Sequence, residues 1–139
     1  MEKIDIIVDS TEIDWEKAIR MIGEVLLDKG SIETSYIDAM VSAVHRFGPY
    51  IAIAPGIAIA HAEPGKGVIK NDLALLVSKK GIEFHSKNDP VHVMFAFCTV
   101  SSDEHLKSLS EIAEMISDEH FVEKMLRANT SEEAYQLLR

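Results

Sequence analysis

Six histidines, a single cysteine and no paired-cysteine motif define the chemical repertoire of this chain, and two of the histidines stand where a side chain can act. His61 closes the stretch RFGPYIAIAPGIAIAHAEPGK, residues 46–66, in which Ile51, Ile53, Ile57 and Ile59 alternate with alanines and Pro55-Gly56 divides two short extended pieces. Strand side chains alternate faces, so His61 continues the row of Ile57 and Ile59 while Ala58, Ala60 and Ala62 line the other side. Glu63-Pro64-Gly65-Lys66-Gly67 cannot extend a sheet, which makes His61 a rim residue, walled partly by aliphatic groups. His105 follows Ser101, which stands at capping-box spacing from Glu104, and so falls in the first turn of a helix.

Several chemistries lack their residues. His61-Ala62-Glu63 matches half of a zinc deaminase signature, but the chain has neither C-x-x-C nor H-E-x-x-H. Gly65-Lys66-Gly67 has no P-loop around it, and no G-x-S-x-G offers a serine nucleophile. What remains is histidine as nucleophile: a neutral imidazole nitrogen can attack phosphorus and carry the phosphoryl group onward. Partial burial would keep His61 unprotonated, and His105 at a helix N-terminus would offer an N–H and the positive end of a dipole to phosphoryl oxygens. Isolated histidines more often serve structure, so spacing alone leaves that plainer reading open. His45, His85, His92 and His120 read as structural, and Arg46 by default as a helix-end cation, a reach into the His61 pocket being the lesser alternative.

The surrounding pattern supplies the frame. Ile4 to Asp9 reads as an edge strand, and a helix capped by Asp14 runs to about Lys29 on Trp15, Ala18, Ile19, Ile22, Val25 and Leu26, with Gly30 ending it. A second helix over 34–46 buries Ile37, Met40, Val41 and Val44 and stops at Gly48-Pro49. Asp72 to Ser78 and Ile82 to His85 read as two strands joined across Lys79-Lys80-Gly81, and Val91 to Val100 as a central strand, apolar on both faces apart from His92. The helix after Ser101 should turn Leu106, Leu109, Ile112, Ala113 and Ile116 inward. Another should start at Ser117 or Asp118 and present Phe121, Val122, Met125 and Leu126. A last helix should open at the Thr130/Glu133 capping box and run to the C-terminus, presenting Ala134, Leu137 and Leu138. The order predicts an α/β single domain over 1–139, a mixed β-sheet flanked by α-helices on both faces.

A length of 139 residues with 47% hydrophobic and 27% charged residues suits one globular core, and no apolar run approaches the ~20 residues of a membrane span. The N-terminus shows no signal peptide, and Cys98, inside the run VHVMFAFCTV, is expected to be buried in a chain suited to a reducing cytoplasm. A formal charge of −9 disfavours nucleic acid and favours a partner with a basic contact face.

FGPYIAIAPGIAIAHAEPGKGV closely resembles the phosphoacceptor segment of the mannitol/fructose-type enzyme IIA domains of the bacterial phosphoenolpyruvate-dependent sugar phosphotransferase system. The FGPY…APG…H…P…GV spacing is most similar to the stand-alone ascorbate-specific IIA proteins, and the likeness continues through NDPVHVMFAF and DEHLKSLSEIAEMI. The resemblance implies that His61 takes phosphate from the phosphocarrier HPr and hands it to a IIB component, and that His105 assists. It also implies a IIC permease reached only through IIB, a cytoplasmic location, no direct membrane insertion and no nucleotide, metal or organic cofactor. The sugar, ascorbate- or galactitol-like, would be chosen elsewhere, and a homodimer stays open. A regulatory phosphoprotein and a non-catalytic binding domain of the same fold remain rival readings. Two departures stand out: Ala60 replaces the proline usual before the acceptor histidine, which would loosen the local backbone. Ala43 stands where the mannitol branch carries arginine.

Overall fold

A computed structural model describes residues 4–138. In chain order it contains β1 (Asp5–Asp9), α1 (Trp15–Asp28), α2 (Thr34–Phe47), β2 (Ala52–Ala54) and β3 (Ile57–Ala60). There follow β4 (Asp72–Ile82), β5 (Val91–Cys98), α3 (Ser102–Met115), α4 (Phe121–Leu126) and α5 (Ser131–Leu138). The five strands form one sheet in the order β1-β4-β5-β3-β2. The β1/β4 and β3/β5 pairs are parallel, and the β4/β5 and β2/β3 pairs antiparallel. This is the α/β arrangement expected, with β1 at an edge and β5 in the middle.

Alternation along the strands divides the core in two. Ala58, Ala60, Leu76, Met94, Ala96 and Cys98 pack beneath α1 and α2. Ile57, Ile59, Leu75, Val77, Val93, Phe95 and Phe97 face α3, α4 and α5. The Asp14 carboxylate accepts the Lys17 N–H at 2.8 Å to start α1, whose Ala18, Ile19, Ile22 and Leu26 are wholly buried. Gly30 and Gly48 follow α1 and α2 at φ 74° and 79°, positive values that favour glycine and end the helical path. Thr130 caps α5 as expected, its Oγ1 accepting from Glu133 N at 3.1 Å. That helix is described as far as Leu138, and the expected run to the C-terminal Arg139 lies outside the described residues.

The expected strand pair across Lys79-Lys80-Gly81 is corrected: β4 is one strand through Ile82. Val77 lies beside Val93 and Ile82 beside Val91, so the chain bulges between them instead of turning back. Gly81 at φ 86° relieves the bulge, its N–H bonding Ser78 Oγ at 3.1 Å, while the His92 ring donates from Nδ1 to the Ser78 carbonyl at 2.8 Å. His85 therefore sits in the loop after β4, at φ 61°. The central strand also stops at Cys98, leaving Val100 46% exposed. α4 starts at Phe121 because Asp118 first folds a turn, its carboxylate accepting the His120 N–H at 2.9 Å.

The inner face of α3 is corrected too. Leu106 and Ala113 point to solvent, and the inward stripe runs through His105, Leu109, Ile112 and Ile116, spaced by four, three and four residues. Truncation should separate the two leucine-like positions. We expect Ile112→Ala, fully buried, to cost about 2–5 kcal/mol in urea unfolding. Leu106→Ala, 64% exposed, should stay within about 0.5 kcal/mol.

Candidate functional site

His61 is the first residue beyond β3 and keeps the face of Ile57 and Ile59, as the alternation requires. Its ring stacks on Phe97 at a centroid distance of 5.2 Å and 16° between planes, and Tyr50 meets it edge-on at 6.0 Å. Nδ1 lies 3.0 Å from the Ile59 carbonyl. A carbonyl can only accept, so Nδ1 holds the proton and the neutral ring carries its lone pair on Nε2. Burial lowers the His61 pKa from its ordinary 6.5, and a His105 charge lowers it further, against the Ile59 bond that raises it. The ring is thus neutral at pH 7.

The following loop holds this geometry. Gly65, at φ 86°, donates its N–H to the Thr99 carbonyl at 2.8 Å, and Gly67 O accepts from Glu33 N at 2.9 Å. The chain after His61 is therefore tied to the end of β5 and to the start of α2.

His105 arrives from the other side. Ser101 Oγ accepts the Glu104 N–H at 3.3 Å, and the Ser101 carbonyl accepts that of His105 at 3.0 Å, which places His105 in the first turn of α3. Its ring lies 5.3 Å from His61, at 65°, and 5.0 Å from Phe97. His105 Nδ1 is buried without a hydrogen-bond partner among the described residues, so no protein group fixes which nitrogen carries its proton.

Both rings open into a cleft of about 470 Å³ whose walls include Ser42, Ala43, Arg46, Phe47, Tyr50 and Glu63. Arg46 is the one lysine or arginine among these walls, and its guanidinium lies 5.1 Å from the Phe47 ring centre. A wider groove of about 810 Å³ runs along α1 past Trp15 and His45 and contains neither ring. The other four histidines are elsewhere: His45 edges Trp15 and faces Glu16, His120 lies between Glu119 and Glu123, and His85 and His92 flank the β4 bulge. Phe97 and Tyr36 were missed in the sequence. Phe97 needs the β3/β5 register to be seen under His61, whereas Tyr36 lies four residues before Met40 on the buried face of α2 and its spacing was there to read.

A half-buried, neutral, oriented imidazole beside a second imidazole, in a cleft that a guanidinium also lines, suits acceptance and release of a charged group on nitrogen. The pair sits on a five-stranded mixed sheet with helices on both faces, which defines the class as an α/β protein with two histidines in one cleft. Over residues 1–139 the chain matches the family described as phosphoenolpyruvate-dependent sugar phosphotransferase system, EIIA 2, and it belongs to that family. It is 31% identical over 126 residues to the ascorbate-specific PTS system EIIA component of Escherichia coli strain K12, covering 89% of this chain and 82% of that protein. To the mannitol-specific cryptic phosphotransferase enzyme IIA component of the same strain it is 28% identical over 125 residues, 90% and 85% of the two chains. The solution structure of that mannitol-specific cryptic enzyme IIA superposes with a TM-score of 0.86 at 27% identity, covering 99% of this chain and 93% of that one. The Escherichia coli enzyme IIA for mannitol solved in complex with its phosphorylated enzyme IIB shares the fold, at a TM-score of 0.82 and 21% identity, over 96% and 93% of the chains.

Components of this family are sugar phosphotransferases. No helix among the described residues is long and apolar enough to cross a membrane. Ala60, expected to loosen the backbone, is in register with Ala96 and 1% exposed, inside the sheet ladder.

Proposed function

We propose that this chain is a cytoplasmic phosphocarrier in which His61 accepts a phosphoryl group from phospho-HPr and passes it to a IIB component that serves a IIC permease. The observation that carries the reading is the ring pair: His61, its Nδ1 proton held by the Ile59 carbonyl, lies 5.3 Å from His105 in one cleft. The Nε2 lone pair attacks phosphorus as the bond to the donor breaks, and the Nδ1 proton stays where it is. The ring gains positive charge in that step, and the Ile59 carbonyl stabilises it. His105 donates an N–H to the oxygens of the transferring group, and Arg46, on the same cleft, balances its negative charge. Glu63 is the opposing charge on the wall and favours release over storage. The relatives named for ascorbate and for mannitol support a sugar-like polyol or acid as the permease's substrate, with ascorbate and galactitol the two classes to try first.

Incubation with phosphoenolpyruvate, enzyme I and HPr, followed by intact-mass measurement, tests this. One added phosphoryl group is expected, lost in mild acid and stable in alkali, as a phosphoramidate is. Ser101, Ser102 and Ser108 lie near His105 in sequence, and acid-stable phosphate on any of them would overturn the assignment.

A further inference from the structure

β3 and β5 run parallel at a constant offset, Ile57 beside Val93 and Ala60 beside Ala96. Extending that register sets His61 beside Phe97 and Ala62 beside Cys98. The next rung of a parallel ladder would then run from the Ala62 N–H to the Phe97 carbonyl. That rung is not made directly. The Tyr36 hydroxyl stands in it, accepting the Ala62 N–H at 3.0 Å and donating to the Phe97 carbonyl at 2.8 Å. One hydrogen bond of about 3 Å is replaced by two in series, so the strand ends part by the width of one oxygen with both backbone groups satisfied.

The tyrosine is built to stay. It is 1% exposed, and burial raises its phenol pKa above the ordinary 10.0, so the donor proton is retained. The returning loop presses on its backbone: a Cβ on Gly67 would come within 3.3 Å of Tyr36 N, and Glu33 N is bonded to Gly67 O. Both residues that the Tyr36 hydroxyl bonds bear on the site. Ala62 follows His61 in the chain, and Phe97 carries the ring on which His61 stacks.

We infer that Tyr36 is a positioning residue for His61: its hydroxyl ends the β3/β5 ladder at a fixed spacing and so sets where the imidazole stands relative to Phe97 and His105. The geometric claim is independent of chemistry, whereas its kinetic consequence rests on His61 being the phosphoacceptor. Without the oxygen, the Ala62 N–H and the Phe97 carbonyl either close on each other or stay unpaired behind a phenyl ring. Either outcome shifts the ring, and a misplacement of about 1 Å at a reacting group costs on the order of a hundredfold in rate.

Tyr36→Phe tests this, read by the imidazole nitrogen resonances of His61 and by single-turnover transfer from phospho-HPr. The His61 resonances should move while those of the distant His120 stay put. The maximal rate should fall about tenfold or more, with the HPr concentration at half-maximal rate unchanged. Unmoved His61 resonances would overturn the inference, and so would moved resonances with an unchanged rate. If the parent protein takes no phosphate while the His61 resonances still shift in the variant, the phosphoacceptor reading fails and the positioning role stands. Should the variant not fold, amide exchange in the parent decides: the Ala62 N–H, past the last ladder pair, should exchange at least about tenfold more slowly than that of Glu63. Equal rates would remove the hydroxyl's role.

Discussion

His61→Ala should yield a protein that folds and accepts no phosphoryl group. The ring is the only proposed bearer of the phosphorus–nitrogen bond, so no residual pathway leads from HPr to IIB through this chain. Its structural share is small by comparison: a stack on Phe97 and one bond to the Ile59 carbonyl, together about 1–2 kcal/mol. The melting temperature should drop by several degrees at most. Intact mass after exposure to phospho-HPr, with a thermal melt beside it, checks both halves, and phosphate retained by the variant would end the proposal. In the parent, pH adds a signed expectation. The nucleophile is the neutral ring, and burial lowers its pKa below 6.5, so the transfer rate should hold as pH falls through 6.5 and decline only beneath it. A midpoint above 6.5 would contradict the placement of His61 in its desolvated pocket.

Replacing His105 should slow transfer without preventing it. A donor aimed at the oxygens of a phosphoryl group in flight acts in the transition state, and removing one such donor typically costs about a hundredfold or more. His105→Ala should therefore still reach one phosphate per chain, on a timescale about a hundred times longer. The fold is affected modestly. His105 lies on the inward stripe of α3 against Phe97, so truncation loses packing, but it also removes a buried Nδ1 that has no partner among the described residues. We expect a net loss of about 1 kcal/mol. Rapid-quench measurement of His61 phosphorylation separates the two effects, and a wild-type rate would remove His105 from the chemistry.

The strong local signals in the sequence carried far into the structure. Asp14, Gly30 and Gly48 bound two helices as capping chemistry dictates, and the isoleucine-alanine alternation placed His61 on the face it occupies. The Ser101 cap likewise placed His105 in a first turn. Failures came where one residue had two uses. Lys79-Lys80-Gly81 reads as a turn because glycine favours one, yet the same left-handed glycine serves a bulge when the strand has a long partner. Leu106 reads as core by hydropathy, although a helix beginning at Ser102 turns it about 120° from Ile112. The stacking of His61 on Phe97 and the intervention of Tyr36 both depend on the β3/β5 register, which single-strand patterns do not encode.

The sheet beneath α1 and α2 is paved with small side chains: Ala58, Ala60, Ala74 and Ala96 are all at most 1% exposed and share one core with Tyr36, Ile37 and Met40. That floor leaves no slack, because a close-packed interior admits an extra methyl group only by moving what lies above it. Tolerance to substitution is therefore uneven in a way that distance from the histidines does not describe. An enlarged alanine in this floor lifts a helix, and the phenol that reaches the strand ends is carried with it. Functional sensitivity on this face should follow side-chain volume, while on the opposite face, with its isoleucines and phenylalanines, it should follow shape.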